Sequence, residues 1–147
     1  MENVKYRWIW IIVVIIIIIV IIWAVWDMGR KFISTLSGSQ VVPPVDTLAS
    51  GGITFRLNSN ETNLSYSGNI KDIPFSTIKS VSLHNGKIGE NGPLISELEF
   101  RSKKAVKVIV EGELEVSEEL ADMLKSKEVY TLVTFKSEMI RGQLIPC

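Results

Sequence analysis

The chain holds few side chains able to do chemistry. His84 is the single histidine and Cys147 the single cysteine. A metal or acid–base site built on histidine needs two or three imidazoles, or one imidazole with cysteines or carboxylates beside it. Glu90 follows His84 across a predicted turn, and no second ligand is evident near it. His84 is therefore expected to end a strand and make a structural hydrogen bond. The alternative is a metal-binding (copper-type) or redox-associated β-sandwich module that uses His84 as one ligand. No serine stands in a Gly-x-Ser-x-Gly turn, and Ser37-Gly38-Ser39 lies in a small-residue spacer. Gly86, Gly89 and Gly92 have the spacing of hairpin turns, not of a phosphate-cradling loop between strand and helix. Glu111, Glu113 and Glu115 recur at period two and should line one face of one strand. A solvated face opposite Lys103, Lys104 and Lys107 accounts for them. On these grounds the chain is expected not to be an enzyme and to hold no cofactor.

Charge narrows the partners. Sixteen basic and 16 acidic residues cancel, leaving no basic excess of the kind a nucleic-acid partner requires. A lone Cys147 excludes a disulfide scaffold and a cysteine-based zinc site, and it is expected to be a free thiol.

The elements that must position these residues begin at Gly51, where the pattern turns to period two. Ile53, Phe55 and Leu57 alternate with polar residues, as do Leu64 and Tyr66, then Val81 and Leu83. Ile95, Leu98 and Phe100 follow an Asn-Gly-Pro turn; Val106, Val108 and Val110 lead on to Leu114 and Val116. Val129–Phe135 and Ile140–Ile145 close the chain. Short strands at this spacing, separated by turn signals, predict a mainly β fold, an antiparallel β-sandwich. One short helix interrupts it, with Ser117 as N-cap, Glu118 and Glu119 in the first turn, and Leu120, Met123 and Leu124 as its apolar face. Gly142 inside the closing strand calls for a bulge needing positive φ, or for close approach of a neighbouring strand or of a bulky side chain such as Tyr130. Arg141 beside it is expected to be partly exposed.

Residues Trp8–Trp26 carry no charge and are dominated by isoleucine and valine. As a helix they span about 28 Å, close to a bilayer's hydrocarbon thickness. Trp8 and Trp10 at one end, and Trp23 and Trp26 at the other, read as two interfacial belts. The run is longer than the apolar region of a signal peptide, and Trp23-Ala24-Val25-Trp26-Asp27 offers no small-x-small cleavage site. An uncleaved signal anchor, N-in and C-out, is the expectation. This divides the chain into a short cytoplasmic N-terminus (1–7), the transmembrane anchor (8–26), a linker (27–50) and the β-sandwich domain (51–147). The linker's Pro43-Pro44 favours an extended, stiff piece. The triplets Asn60-Glu61-Thr62 and Asn63-Leu64-Ser65 are glycosylation acceptors fitting an exterior loop.

Several runs together resemble the CHRD domain, named for chordin. They are Ser82-Leu83-His84-Asn85-Gly86, then Glu90-Asn91-Gly92-Pro93-Leu94-Ile95, then Glu111-Gly112-Glu113-Leu114. Tyr130–Phe135 followed by Ile140-Arg141-Gly142-Gln143-Leu144 is similar to the family's closing strands. The motif residues carried over are His84, Asn91, Gly92, Pro93, Arg141, Gly142, Gln143 and Leu144. The departures are Ser82 and Thr134 where that pattern has histidines, and Met139 where it has glutamate before Ile-Arg-Gly. The resemblance implies a β-sandwich used for binding or assembly, without the family's polar cluster. The expected protein is a single-pass cell-membrane protein with an extracytoplasmic C-terminal domain. Its partners are the lipid bilayer and a protein of a membrane or envelope complex, in which it is an accessory subunit.

Overall fold

Burial at period two runs through most of the chain and gives each strand one inward face. The computed structural model describes residues 2–26, 29–102, 107–136 and 138–147, the side chains of Glu2, Asn3 and Trp26 excepted. Lys103, Lys104 and Val106, and the Trp26 side chain of the second aromatic belt, lie outside the described residues.

Helix α1 runs Glu2–Trp26. An 18-residue window of its stretch Val4–Val25 has a mean hydropathy of 3.4 and none of it is buried, so the helix is long and apolar enough to cross a membrane. Trp8, Trp10 and Trp23 stand fully outward near its two ends.

Nine strands follow among the described residues: β1 Arg30–Leu36, β2 Ser50–Leu57, β3 Asn63–Lys71, β4 Ile78–Asn85, β5 Leu94–Glu97, β6 Phe100–Ser102, β7 Lys107–Glu115, β8 Val129–Phe135 and β9 Glu138–Pro146. They pair antiparallel in the order β5-β4-β8-β9-β1-β2-β3-β7-β6. This one sheet curls so that its two halves close on a shared core, the two-layer arrangement expected of a sandwich. Phe32, Phe55, Leu57, Leu64 and Ile70 of one half meet Val81, Leu83, Val133, Ile140 and Leu144 of the other. The β5–β6 connection stitches the halves, since Leu98 N donates to Val81 O and Glu99 N to the Tyr66 hydroxyl.

The expected linker, 27–50, differs from what the chain does. Its residues 30–36 form β1, which pairs along its length with β2 and at its start with β9. The inward side chains of β1 are Phe32, Ser34 and Leu36. The serine breaks the apolar alternation, which is why the run reads as a connector in sequence. Ser34 is nevertheless fully buried.

Strand β9 joins the layers. Residues Glu138–Gln143 pair with β8, whereas Leu144–Pro146 pair with β1. Gly142 sits at the crossing. A Cβ there would collide with Ser34 Oγ and stand 2.7 Å from Thr35 O, so close strand approach is what requires glycine. The neighbour is β1 and not Tyr130, whose ring lies against Gly86 instead. Helix α2, Glu118–Lys125, forms as its sequence predicts. Ser117 Oγ accepts the Leu120 N–H as N-cap, and Leu120 and Leu124 are buried against the core.

Candidate functional site

The outward face of β4, β8 and β9 collects most of the residues singled out in the sequence. Across it stand His84, Tyr130 and Gln143 in one row, and Ser82, Leu132 and Arg141 in the next. Thr134 pairs with Ser80 on one side and Met139 on the other. Thus Ser82, His84, Thr134 and Met139, the positions of the motif and its departures, share one face. Here the face carries a single imidazole.

Both nitrogens of that imidazole have protein partners. His84 Nδ1 lies 3.1 Å from Gly92 O and Nε2 lies 2.9 Å from Ser82 Oγ. A carbonyl only accepts, so Nδ1 carries the proton and Nε2 accepts from the serine hydroxyl in the neutral ring. The ring also stacks on Tyr130, with centroids 5.3 Å apart and planes 13° apart. Tyr130 returns the contact to the same loop, its hydroxyl accepting the Gly92 N–H at 3.0 Å. The side chain at position 84, expected to end a strand and make a structural hydrogen bond, makes two such bonds, and the one to Gly92 O pins the turn that follows.

Arg141 reverses the expectation of partial exposure. It is 1% exposed, covered by the loop between β4 and β5. Its guanidinium stacks over Tyr130 at 3.6 Å from the ring centroid. Nη1 donates to Glu90 O at 2.6 Å, and Nη2 to Lys87 O at 2.8 Å and Gln143 Oε1 at 3.2 Å. Strand β8 lies between β4 and β9, so Tyr130 is flanked by His84 from one neighbour and Arg141 from the other. Burial pushes the Arg141 pKa down from the usual guanidinium value, with Tyr130 and then Glu90 pulling the other way. A guanidinium remains charged at neutral pH through such a shift.

Gln143 completes the fastening. Its Nε2 donates to Gly86 O at 2.9 Å and to Lys127 O at 2.7 Å, after the end of α2. Its backbone N–H donates to Gln40 Oε1, from the 3-10 turn Gly38–Gln40, while Gln40 Nε2 donates to Thr35 O. Asn91 Nδ2 donates to Val42 O at 2.9 Å, tying the same turn region to the loop. Gly92 has no room for a side chain, because a Cβ would collide with Asn85 O. The motif residues from His84 to Gly92 and from Arg141 to Gln143 therefore form one latch that closes loop 85–93 on the sheet. Leu144 lies on the inward side, fully buried in the core. Pro93 supplies the carbonyl that accepts the Asn85 N–H.

Among the described residues no carboxylate hydrogen-bonds to His84, Arg141 or Gln143, and that of Glu90 acts on Arg141 through charge alone. Glu90 Oε2 accepts from Lys87 N, at 3.4 Å, on the exposed side of the loop. Among the described residues no three His, Cys, Asp or Glu side chains converge to hold a metal ion. Glu111, Glu113 and Glu115 line the exposed face of β7, where Arg101 of β6 pairs diagonally with Glu111 at 2.8 Å; Lys103 and Lys104 of the expected opposite charge lie outside the described residues. Sequence reasoning passed over Gln40 and Ser34, and named Tyr130 only as a neighbour of Gly142 and as the first residue of a family-like strand.

The CHRD domain family model matches residues 32–144, well over half of the chain, and its start falls within β1. No curated protein matches the chain.

Proposed function

The chain belongs to the CHRD domain family, and on that premise we propose that it is a single-pass membrane protein with its β domain outside the cytoplasm. The domain serves as a non-catalytic binding or scaffolding subunit of a membrane or cell-envelope complex. One observation carries this reading: the polar side chains of the motif are engaged in holding loop 85–93. The His84 nitrogens, the Arg141 donors and the Gln143 amide all face backbone or side-chain partners of the domain itself. Substrate or metal would have to displace these part-buried bonds, at about 1 kcal/mol each. The loop turns outward both charge and apolar surface: Lys87 and Glu90 are exposed beside Ile88, which is 76% exposed, and Leu94 at the start of β5 is 56% exposed. Helix α1 supports the anchor by its length and composition.

Two measurements test the reading. A membrane-impermeant maleimide should label Cys147, the single and exposed thiol, in intact cells. Purification of the intact protein in mild detergent should bring down a membrane or envelope protein in constant ratio, and Ile88→Asp should weaken that association. Labelling that requires permeabilised cells overturns the orientation. A monodisperse, partnerless protein that turns over a substrate overturns the function.

A further inference from the structure

Between Trp26 and Arg30 the chain can stretch at most about 14 Å, whatever path it takes. If α1 spans the bilayer, the end of the sheet that carries Arg30 stays within that reach of the headgroups, so this inference rests on the anchor reading above. The same end has an unusual composition. Lys31 and Arg56 are direct cross-strand partners on the outward face of β1 and β2, both exposed. Like charges directly opposite each other repel. Among the described residues neither has an ion-pair partner. Along that row Ser65 follows Arg56, and Glu113 comes only after it, about 10 Å away at the usual strand spacing.

Beside the basic pair lies an apolar one. Ile33 of β1 and Ile145 of β9 face each other across the strands, 40% and 49% exposed. A groove of about 350 Å3 opens there, lined by Arg30, Lys31, Arg56 and Cys147, with room for a phosphate. A basic rim next to aliphatic side chains matches the headgroup–acyl boundary of an anionic bilayer. We propose that Lys31, Arg56, Ile33 and Ile145 dock the domain on anionic phospholipid headgroups of the membrane that anchors it. The cations hold lipid phosphates in the groove, and the two isoleucines rest on the interface. The like-charge pair is thereby relieved, and the domain takes one fixed orientation instead of swinging on its tether.

Cys147 provides the probe, since its Sγ lies 3.7 Å from Lys31 O on this patch and is exposed. The intact protein, carrying bimane on Cys147, is reconstituted in nanodiscs that contain a headgroup-nitroxide lipid as quencher. The remaining lipid is phosphatidylcholine alone, or phosphatidylcholine with one third phosphatidylglycerol. Quenching is expected to be about threefold or more stronger in the anionic discs, because each basic residue near such a surface favours the docked state about fivefold. The Lys31→Glu/Arg56→Glu double variant, or about 1 M salt on the unaltered chain, should remove the contrast. Equal quenching in the two lipids overturns the docking while leaving the anchor intact, and so does a contrast that survives charge reversal. A chain that fails to enter the discs overturns the anchor, and this inference with it.

Discussion

Ser34 donates its hydroxyl to the carbonyl of Gly142 at 2.8 Å, in full burial, across 108 residues of chain. This bond marks the corner at which β9 leaves β8 and takes up β1, and it holds a polar residue inward between Phe32 and Leu36. Gly142→Val places two methyl groups where Ser34 Oγ and Thr35 O already stand. It should destabilise the domain by about 2 kcal/mol or more, as overpacked positions do. A urea titration of the intact protein in mild detergent, followed by the strand circular dichroism signal, measures it. A wild-type midpoint would contradict the close approach of β1 and β9.

Arg141→Lys keeps the charge and loses the planar fork. Lysine cannot at once reach Glu90 O, Lys87 O and Gln143 Oε1 while stacking on Tyr130. At least one buried acceptor goes unsatisfied, so the cost should be about 2 kcal/mol. The same titration reads it, and a loss under about 0.5 kcal/mol, the usual surface value, would mean that the residue is exposed after all.

Thr131 gives a change of opposite sign. It faces the core across from Gly142, is fully buried, and among the described residues its hydroxyl has no hydrogen-bond partner. Thr131→Val keeps the shape and removes the unsatisfied group. A gain of about 1 kcal/mol is expected in the urea midpoint. A loss would show that the hydroxyl is bonded.

His84→Ala should cost about 1–2 kcal/mol, because it removes the bond to Gly92 O and the stack on Tyr130. The strand-end role read from sequence implied almost no cost, and the difference lies in these two contacts. With both ring nitrogens engaged, copper or zinc should bind the intact protein only weakly. Isothermal titration checks this: stoichiometric sub-micromolar binding that disappears in His84→Ala would establish the metal-site alternative.

The strands, the Ser117-capped helix and the apolar anchor were legible because each follows from a period or a cap. Strand β1 was not, since Ser34 interrupts its alternation and Gly38 to Pro44 following it read as a spacer. The motif residues were legible as a set but not as a latch. Their convergence depends on β4, β8 and β9 being neighbours, a register that short-range patterns do not encode. The burial of Arg141 was hidden for the same reason, because loop 85–93 covers it from more than forty residues away in sequence.

The central claim is that these motif residues fasten loop 85–93 to the sheet. Hydrogen exchange of the intact protein measures this most directly. The N–H groups of Asn85, Gly86 and Gly92 bond to Pro93 O, Glu128 O and the Tyr130 hydroxyl. The segment 85–93 should therefore be protected in the unaltered chain. It should lose at least tenfold of that protection in Arg141→Lys, while β2 and β3 keep theirs, as expected when a local opening is eased by about 1.4 kcal/mol. Exchange of 85–93 at the rate of an open loop in the unaltered protein, or no change on substituting Arg141, would contradict the account.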